Sequence, residues 1–225
     1  MHASSYQQIL DELKPKGVQL LAVSKTKTIS EIQIIYDQGQ RDMGENYVQE
    51  LEEKQASLPK DIRWHFIGHL QTNKVKFIAP YIYMIQSVDS LKLLLEIDKQ
   101  AEKKQRSVRC LLQIFIAREE TKFGLNESEL DSLISMVIDN RKEGKFRHVL
   151  ISGCMGMASL TEDVFRIRGE FDQLRQVFEK LKTAFPTDPI DTLSMGMSGD
   201  YQIAIEAGST MVRIGSLLFG ERLYR

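Results

Sequence analysis

The chain has 225 residues, 42% hydrophobic and 27% charged, enough for a soluble globular fold with a sizeable core. Thirty basic against 31 acidic residues leave a net charge of −1, which offers no electrostatic footprint for nucleic acid or an anionic membrane. No apolar run approaches the ~20 residues of a membrane span, and the polar start, Met1 to Gln8, has no targeting character, so the cytoplasm is the expected compartment.

Taken in order, short apolar or β-branched runs alternate with amphipathic stretches. A helix over Ser4–Lys14 is predicted to precede a first strand, Gln19–Ser24, and a helix, Ile29–Gln38. Then come strand Asp42–Gly44 and helix Val48–Gln55, strand Arg63–Ile67 and helix Gln71–Ile78, and strand Met84–Ser87 and helix Ser90–Lys104. The second half repeats the alternation: strand Arg109–Ile116 and helix Glu127–Arg141, strand His148–Ser152 and helix Glu162–Ala184, strand Asp191–Ser194 and helix Asp200–Ala207, and strand Met211–Ile214. A last helical stretch, Leu217–Tyr224, closes the chain. Eight strands alternating with helices predict right-handed βαβ units and a parallel sheet. The first strand runs into Ser24-Lys25-Thr26-Lys27 without the glycine-rich turn of an open dinucleotide-binding sheet, so the expected fold is α/β, a (β/α)₈ TIM-type barrel, in one domain over residues 1–225. Cys110 and Cys154 lie in apolar stretches and are expected to be buried thiols. The basic cluster from Lys99 to Arg109 reads as a solvated helix face.

A barrel of this kind carries its chemistry at the C-terminal ends of its strands. That rule gathers Lys25, Glu45-Asn46, His65, Ser87, Thr121-Lys122, Met155-Gly156, Ser194 to Ser198, and Arg213 to Ser216 into one ring. Alternation puts Lys25 on the face of Leu21 and Val23; buried there, its neutral amine could attack an aldehyde. By position alone the commoner outcome is a lysine snorkelling to solvent. Arg213 sits between Val212 and Ile214 and faces away from both, so it would point into the barrel and need an acceptor. Either an ion pair with Glu45 or another carboxylate, or an anionic ligand group or ring nitrogen, would serve. Ser198, Gly215 and Ser216 lie in small-residue turns after the seventh and eighth strands, the usual phosphate site of such barrels; ordinary turn and cap chemistry explains either turn alone. His65, between Trp64 and Phe66, reads as a core histidine with its hydrogen bonds satisfied, and His69 and Asn73 as caps or surface. No metal-ligand spacing and no serine nucleophile elbow is present. Met155, Met157, Met195 and Met197 read as adaptable packing around the barrel mouth.

Several segments carry a resemblance together: Ala22-Val23-Ser24-Lys25-Thr26, Gly44 to Glu50, Trp64 to Gly68 with Leu70-Gln71 and Asn73-Lys74, Ser87 to Ser90, Thr121 to Leu125, Leu193 to Ser198, and Val212 to Gly215 with Phe219-Gly220. Across roughly residues 19–222 the chain resembles the pyridoxal phosphate homeostasis proteins (the YggS/PROSC family), which are similar to the N-terminal barrel of alanine racemases. The resemblance implies a non-catalytic carrier of pyridoxal 5′-phosphate (PLP) with no catalytic residue of its own. By it, Lys25 is the Schiff-base lysine, Arg213 faces the pyridine nitrogen, Ser198, Gly215 and Ser216 cradle the phosphate, and Asn46 lies near the cofactor. A guanidinium at the ring nitrogen would oppose its protonation and weaken the cofactor as an electron sink. Thr28, Met43 and Cys154 depart from the family's common proline, aromatic and leucine. PLP-dependent apo-enzymes are the expected partners. A small amino-acid racemase is the alternative, and would need a second acid/base, for which His65, Tyr47 and Tyr201 are the candidates. A barrel that binds another phosphorylated metabolite, with Lys25 incidental, is a third.

Overall fold

A computed structural model describes residues 3–117 and 124–220. Eight strands close into a parallel barrel in sequence order: β1 (Gln19–Val23), β2 (Asp42–Glu45), β3 (Arg63–Phe66), β4 (Met84–Val88), β5 (Val108–Gln113), β6 (Val149–Met155), β7 (Thr192–Met197) and β8 (Met211–Ile214). Helix α1 (Ala3–Leu13) precedes β1, and the crossovers carry α2 (Ile29–Asp37), α3 (Val48–Ser57), α4 (Val75–Ile78), α5 (Leu91–Lys103), α6 (Glu127–Lys142), α7 (Val164–Ala184) and α8 (Tyr201–Glu206). A short α9 (Ser216–Phe219) follows β8. The described elements are those that the apolar periodicity predicts. Thr121-Lys122 and the end of the last predicted helix lie outside the described residues.

Local chemistry explains where the helices begin. Thr28 caps α2 and Asn126 caps α6, each in a reciprocal capping box, with Glu31 and Glu129 respectively. Thr28 therefore has a definite task where a proline is common in the family. Ser90 and Asp163 cap α5 and α7. Leu93, Leu94, Ile97 and Ala101 on α5, and Ile167, Phe171, Leu174, Phe178 and Leu181 on α7, recur at helical spacing and are buried.

Strand alternation sorts the barrel into two compartments. Leu20, Ala22, Met43, Val212 and Ile214 face outward and join the helices in one continuous core, together with Cys110 and Cys154. A separate small cluster, Met84, Leu111 and Met155, fills part of the interior. Leu21 lies there too, and the interior also holds buried polar residues, Asp42, His65, Gln86, Ser194 and Arg213.

Differences from the expected boundaries have local causes. β6 runs on past Ser152 to Met155, because Cys154 turns out into the helical core while Met155 turns into the barrel. β5 stops at Gln113 rather than Ile116, and Ile114 keeps a single bridge to Leu125. Met195 belongs to the outer core and not to the barrel mouth. In the basic cluster Lys99 is exposed, but Arg106 turns in to donate to the carbonyls of Ala79 and Ile82, and Arg109 to Ser152 and Asp191. Arg106 and Arg109 thus close strand and helix ends instead of forming a solvated face. Among the described residues, no helix is long and apolar enough to cross a membrane.

Asp42 anchors the N-terminal end of the interior. Burial alone would raise its carboxyl, but hydrogen bonds from Arg63 and His65 outweigh that and hold it at about 2. A folded-state value below the unfolded one adds stability above about pH 4, which is lost as pH falls toward 2. Arg63 is 42% exposed, so solvent screening trims the gain, to about 1–2 kcal/mol. Asp42→Asn is expected to lose that increment at neutral pH. Urea melts at pH 7 and near pH 3 should show the gap between variant and parent closing in acid.

Candidate cofactor site

At the C-terminal ends of the strands opens a cavity of about 440 Å³, within the size range of small-molecule sites. Lys25, Asn46, Ser198, Arg213, Gly215 and Ser216 all line it.

Lys25 follows β1 on the face of Val23, which also lines the cavity. The turn that carries it is pinned on both sides from beneath α3. Lys54 Nζ donates to the Ser24 carbonyl at 2.7 Å, to Glu45 Oε1 at 2.8 Å and to Glu50 Oε1 at 2.6 Å. The Thr26 amide donates to the same Glu50 oxygen at 2.6 Å, and Thr26 itself sits in the left-handed region at φ 65°. Ser24 Oγ donates to Glu45 Oε1 at 2.6 Å. The Glu45 side chain is fully buried; burial pushes it up to about 7 against the pull of Lys54 and Ser24.

Glu45 is therefore not part of the mouth. A Cβ on its neighbour Gly44 would meet Leu21 and Ile67 inside the barrel at 3.2–3.3 Å, so alternation sends Glu45 outward under α3. The ion pair between Glu45 and Arg213 that the sequence allowed does not form. Arg213 instead points into the barrel and contacts neutral groups. Nη1 donates to Ser194 O at 2.8 Å and to Ser194 Oγ at 2.9 Å, and Nη2 donates to Gly156 O at 2.9 Å. Burial lowers it to about 10, so it stays charged at neutral pH.

The two small-residue turns meet. The Gly215 amide lies 3.4 Å from Ser198 Oγ and donates to it, joining the ends of β7 and β8. Gly196, at φ 92°, lets β7 bend into α8; a Cβ there would meet Ala204 Cβ at 2.6 Å and Tyr201 Cα at 2.9 Å. Ser198 is not the cap of α8, since that place is taken by Asp200. Across the cavity, Asn46 Oδ1 is buried with no hydrogen-bond partner among the described residues. A Cβ on Gly68 would meet the Asn46 carbonyl at 2.3 Å, so only glycine permits this approach of β3 to the end of β2.

The cavity also takes in residues to which the sequence analysis assigned no cofactor role. Lys27 lines it, with Nζ donating to the Phe219 carbonyl at 3.1 Å and paired with Glu31 at 3.5 Å. Its two-residue spacing from Lys25 was the available signal. Gln113 lines the wall, a polar residue in the apolar run of β5. His69 reaches the rim, with Nδ1 3.4 Å from Asp89, and Met155, Met157 and Met197 also line the cavity. Ser87 is buried within β4 and does not reach the mouth, and Ser194 lies deeper than the ring in which it was expected. The three candidate proton-transfer groups are absent from the lining. His65 is enclosed in the interior, Tyr47 is exposed outside the lining, and the Tyr201 hydroxyl donates to Glu12 at 2.8 Å.

The donor set fits a phosphorylated aldehyde with a ring nitrogen. It presents one amine at a strand end, one guanidinium, hydroxyls and amides at a paired turn, and an amide oxygen without a partner.

A closed (β/α)₈ barrel with an amine and a guanidinium at its mouth defines a class, and comparison with known families agrees. Residues 3–223 match the family described as "Alanine racemase, N-terminal domain". The pyridoxal phosphate homeostasis protein of Pasteurella multocida (strain Pm70) is 40% identical over 213 residues, covering 92% of this chain and 88% of that protein. Its Homo sapiens counterpart of the same name is 41% identical over 219 residues, covering 92% and 77%. The structure of PipY from Synechococcus elongatus PCC7942 with PLP bound superposes with a TM-score of 0.84 at 33% identity, covering 97% of this chain and all of that one. The chain belongs to the alanine racemase N-terminal domain family and, within it, to the pyridoxal phosphate homeostasis proteins.

Proposed function

We propose that the chain is a cytoplasmic barrel, one domain over residues 1–225, that holds PLP at the strand ends and buffers it or delivers it to apo-enzymes without turning over a substrate. One observation carries this: Lys25, Arg213 and the Ser198–Gly215–Ser216 turn converge on a single cavity. When bound, PLP supplies an aldehyde that condenses reversibly with a primary amine, giving a Schiff base on Lys25. Ser198, Gly215 and Ser216 would hold the phosphate, Arg213 would donate to the ring nitrogen, and Asn46 would offer its unpartnered oxygen. The Lys54 cluster fixes the turn that presents the amine. Met155, Met157 and Met197 supply an adaptable apolar lining.

Turnover requires groups that bind a transition state better than a ground state. Neither Tyr47, Tyr201 nor His65 lines the cavity to supply a second proton-transfer site. The test is to mix loaded protein with a PLP-dependent apo-enzyme and, separately, with common L-amino acids. Cofactor should pass to the apo-enzyme, or free aldehyde should be buffered, in a Lys25-dependent manner, with no racemisation or transamination. Amino-acid turnover that vanishes in Lys25→Ala would establish the racemase alternative instead.

The phosphate turn gives a separate expectation. Ser216→Asp places a carboxylate in the exposed turn that would hold the phosphate, and PLP binding should weaken roughly tenfold or more by charge repulsion. Unphosphorylated pyridoxal should be much less affected. Equal losses for the two ligands in parallel titrations would make the turn purely structural.

A further inference from the structure

Beneath the cavity floor, a chain of hydrogen bonds crosses the barrel interior through side chains that the binding function has not used. Arg213 Nη1 is 2.9 Å from Ser194 Oγ, and Ser194 Oγ is 2.7 Å from Gln86 Oε1. Gln86 Nε2 is 3.0 Å from His65 Nδ1, and His65 Nε2 is 3.1 Å from Asp42 Oδ1. Arg63 closes the far end with two hydrogen bonds to the Asp42 carboxylate, at 2.7 and 2.5 Å. The three residues between Arg213 and Asp42 come from β7, β4 and β3, and all five from Arg213 to Asp42 are at most 5% exposed.

The two ends dictate the direction of the whole chain. A guanidinium can only donate, so Ser194 Oγ accepts from Arg213 and spends its one proton on Gln86 Oε1. That orients the Gln86 amide and turns its N–H toward His65 Nδ1, which must then be the bare nitrogen. A carboxylate can only accept, which puts the imidazole proton on Nε2. Burial favours the neutral imidazole, and with that ring a reversed Gln86 amide would put the proton on Nδ1 and set the bare Nε2 against the Asp42 carboxylate, lone pair to lone pair. Each bond therefore points the same way, from the buried cation to the buried anion, and bonds so aligned polarise one another in a low-dielectric interior. This helps to compensate an otherwise costly feature, a buried guanidinium whose hydrogen bonds to the wall go to neutral groups and whose nearby opposite charge is Asp200. Those contacts use three of its five N–H donors, and the residue also lines the cavity.

We propose that Ser194, Gln86, His65 and Asp42 form a donor-ordered relay that compensates and orients Arg213 from below, making them positioning residues for the group that meets the ring nitrogen of the bound ligand. This rests on the assignment of Arg213 to the ring nitrogen. If the relay aims Arg213, breaking it selectively removes the part of the binding that depends on that nitrogen and leaves the phosphate and amine contacts in place.

The experiment compares PLP with its 1-deaza analogue, which keeps the aldehyde and phosphate but has carbon in place of the ring nitrogen. Dissociation constants are measured for the unaltered protein and for Gln86→Met, which preserves volume but removes the central link. The unaltered protein should prefer PLP by about tenfold or more, since the analogue leaves an Arg213 donor unpaired. Gln86→Met should cut that preference to about threefold or less, chiefly by weakening PLP. An undiminished preference in Gln86→Met, or equal weakening of both ligands, overturns the relay while leaving the Arg213 assignment intact. Lack of preference in the unaltered protein overturns the assignment and the relay with it. A second measurement needs neither ligand nor variant: nitrogen NMR of the His65 ring at neutral pH should show the neutral tautomer with the proton on Nε2. An Nδ1–H tautomer or a doubly protonated ring would break the donor order and overturn the proposal.

Discussion

Lys25→Ala should abolish the yellow colour of the PLP-loaded protein and lower its affinity for the cofactor by about 100-fold or more, a loss of about 2.7 kcal/mol or more. The effect is expected to be this large because the amine would be the one group bonded covalently to the aldehyde, while the other contacts would be ordinary hydrogen bonds. Borohydride reduction of the parent should fix the cofactor's mass on the peptide carrying Lys25. Lys27 is the internal control: it lines the same cavity, but its Nζ is engaged by the Phe219 carbonyl and Glu31. An adduct mapped to Lys27, or no adduct, would refute Lys25 as the anchor.

Lys54→Met should destabilise the fold by about 3–5 kcal/mol near pH 8, the cost of breaking a buried ion pair by removing one partner. Against a typical total of about 5–15 kcal/mol, such a loss is large. The side chains of Lys54 and Glu45 are 5% and 0% exposed, and the ammonium also holds the Ser24 carbonyl and Glu50. Its loss leaves the buried Glu45 carboxylate with Ser24 Oγ as its one donor among the described residues and releases the turn before Lys25. The pH dependence has a definite sign. Burial already pushes Glu45 up to about 7, above its unfolded value, and losing Lys54 pushes it further in the same direction. A raised carboxyl costs stability as pH rises through its folded value, so the penalty should be greatest in alkali and smaller near pH 5.5, where the neutral acid folds in. Denaturant melts of parent and variant across this range test it. A penalty independent of pH would mean that Glu45 is not the stranded group.

Much of the barrel and part of its mouth were legible in the chain. A period of two in the strands and near 3.6 in the helices is written into residue order, and it placed Val212 and Ile214 outward and Arg213 inward. The same alternation put Lys25 with Val23 on the cavity wall. It also identified His65 as an enclosed histidine with its hydrogen bonds met, and those bonds prove to come from Gln86 and Asp42. Glu45 shows where residue order falls short. Its nearness to Asn46 suggested a place at the mouth, yet in a strand one step along the chain is half a turn in space.

By itself, the sequence determined what each neighbourhood can settle: element order, the inward or outward face of strand residues such as Arg213, and the family's motifs. Only the tertiary structure decided which residues share a partner. Lys54 lies on α3, 29 positions after Lys25, and reaches the turn that carries it through Ser24 and Glu50. Gln86 meets Ser194 across 108 positions. Barrel closure sets such meetings: strands tilt and pair in register around a ring, so the partner of a side chain depends on how all eight strands are staggered together. Local periodicity carries the face of each residue but not its height in the barrel, and height decides whether a polar side chain lines the cavity or joins the network beneath it.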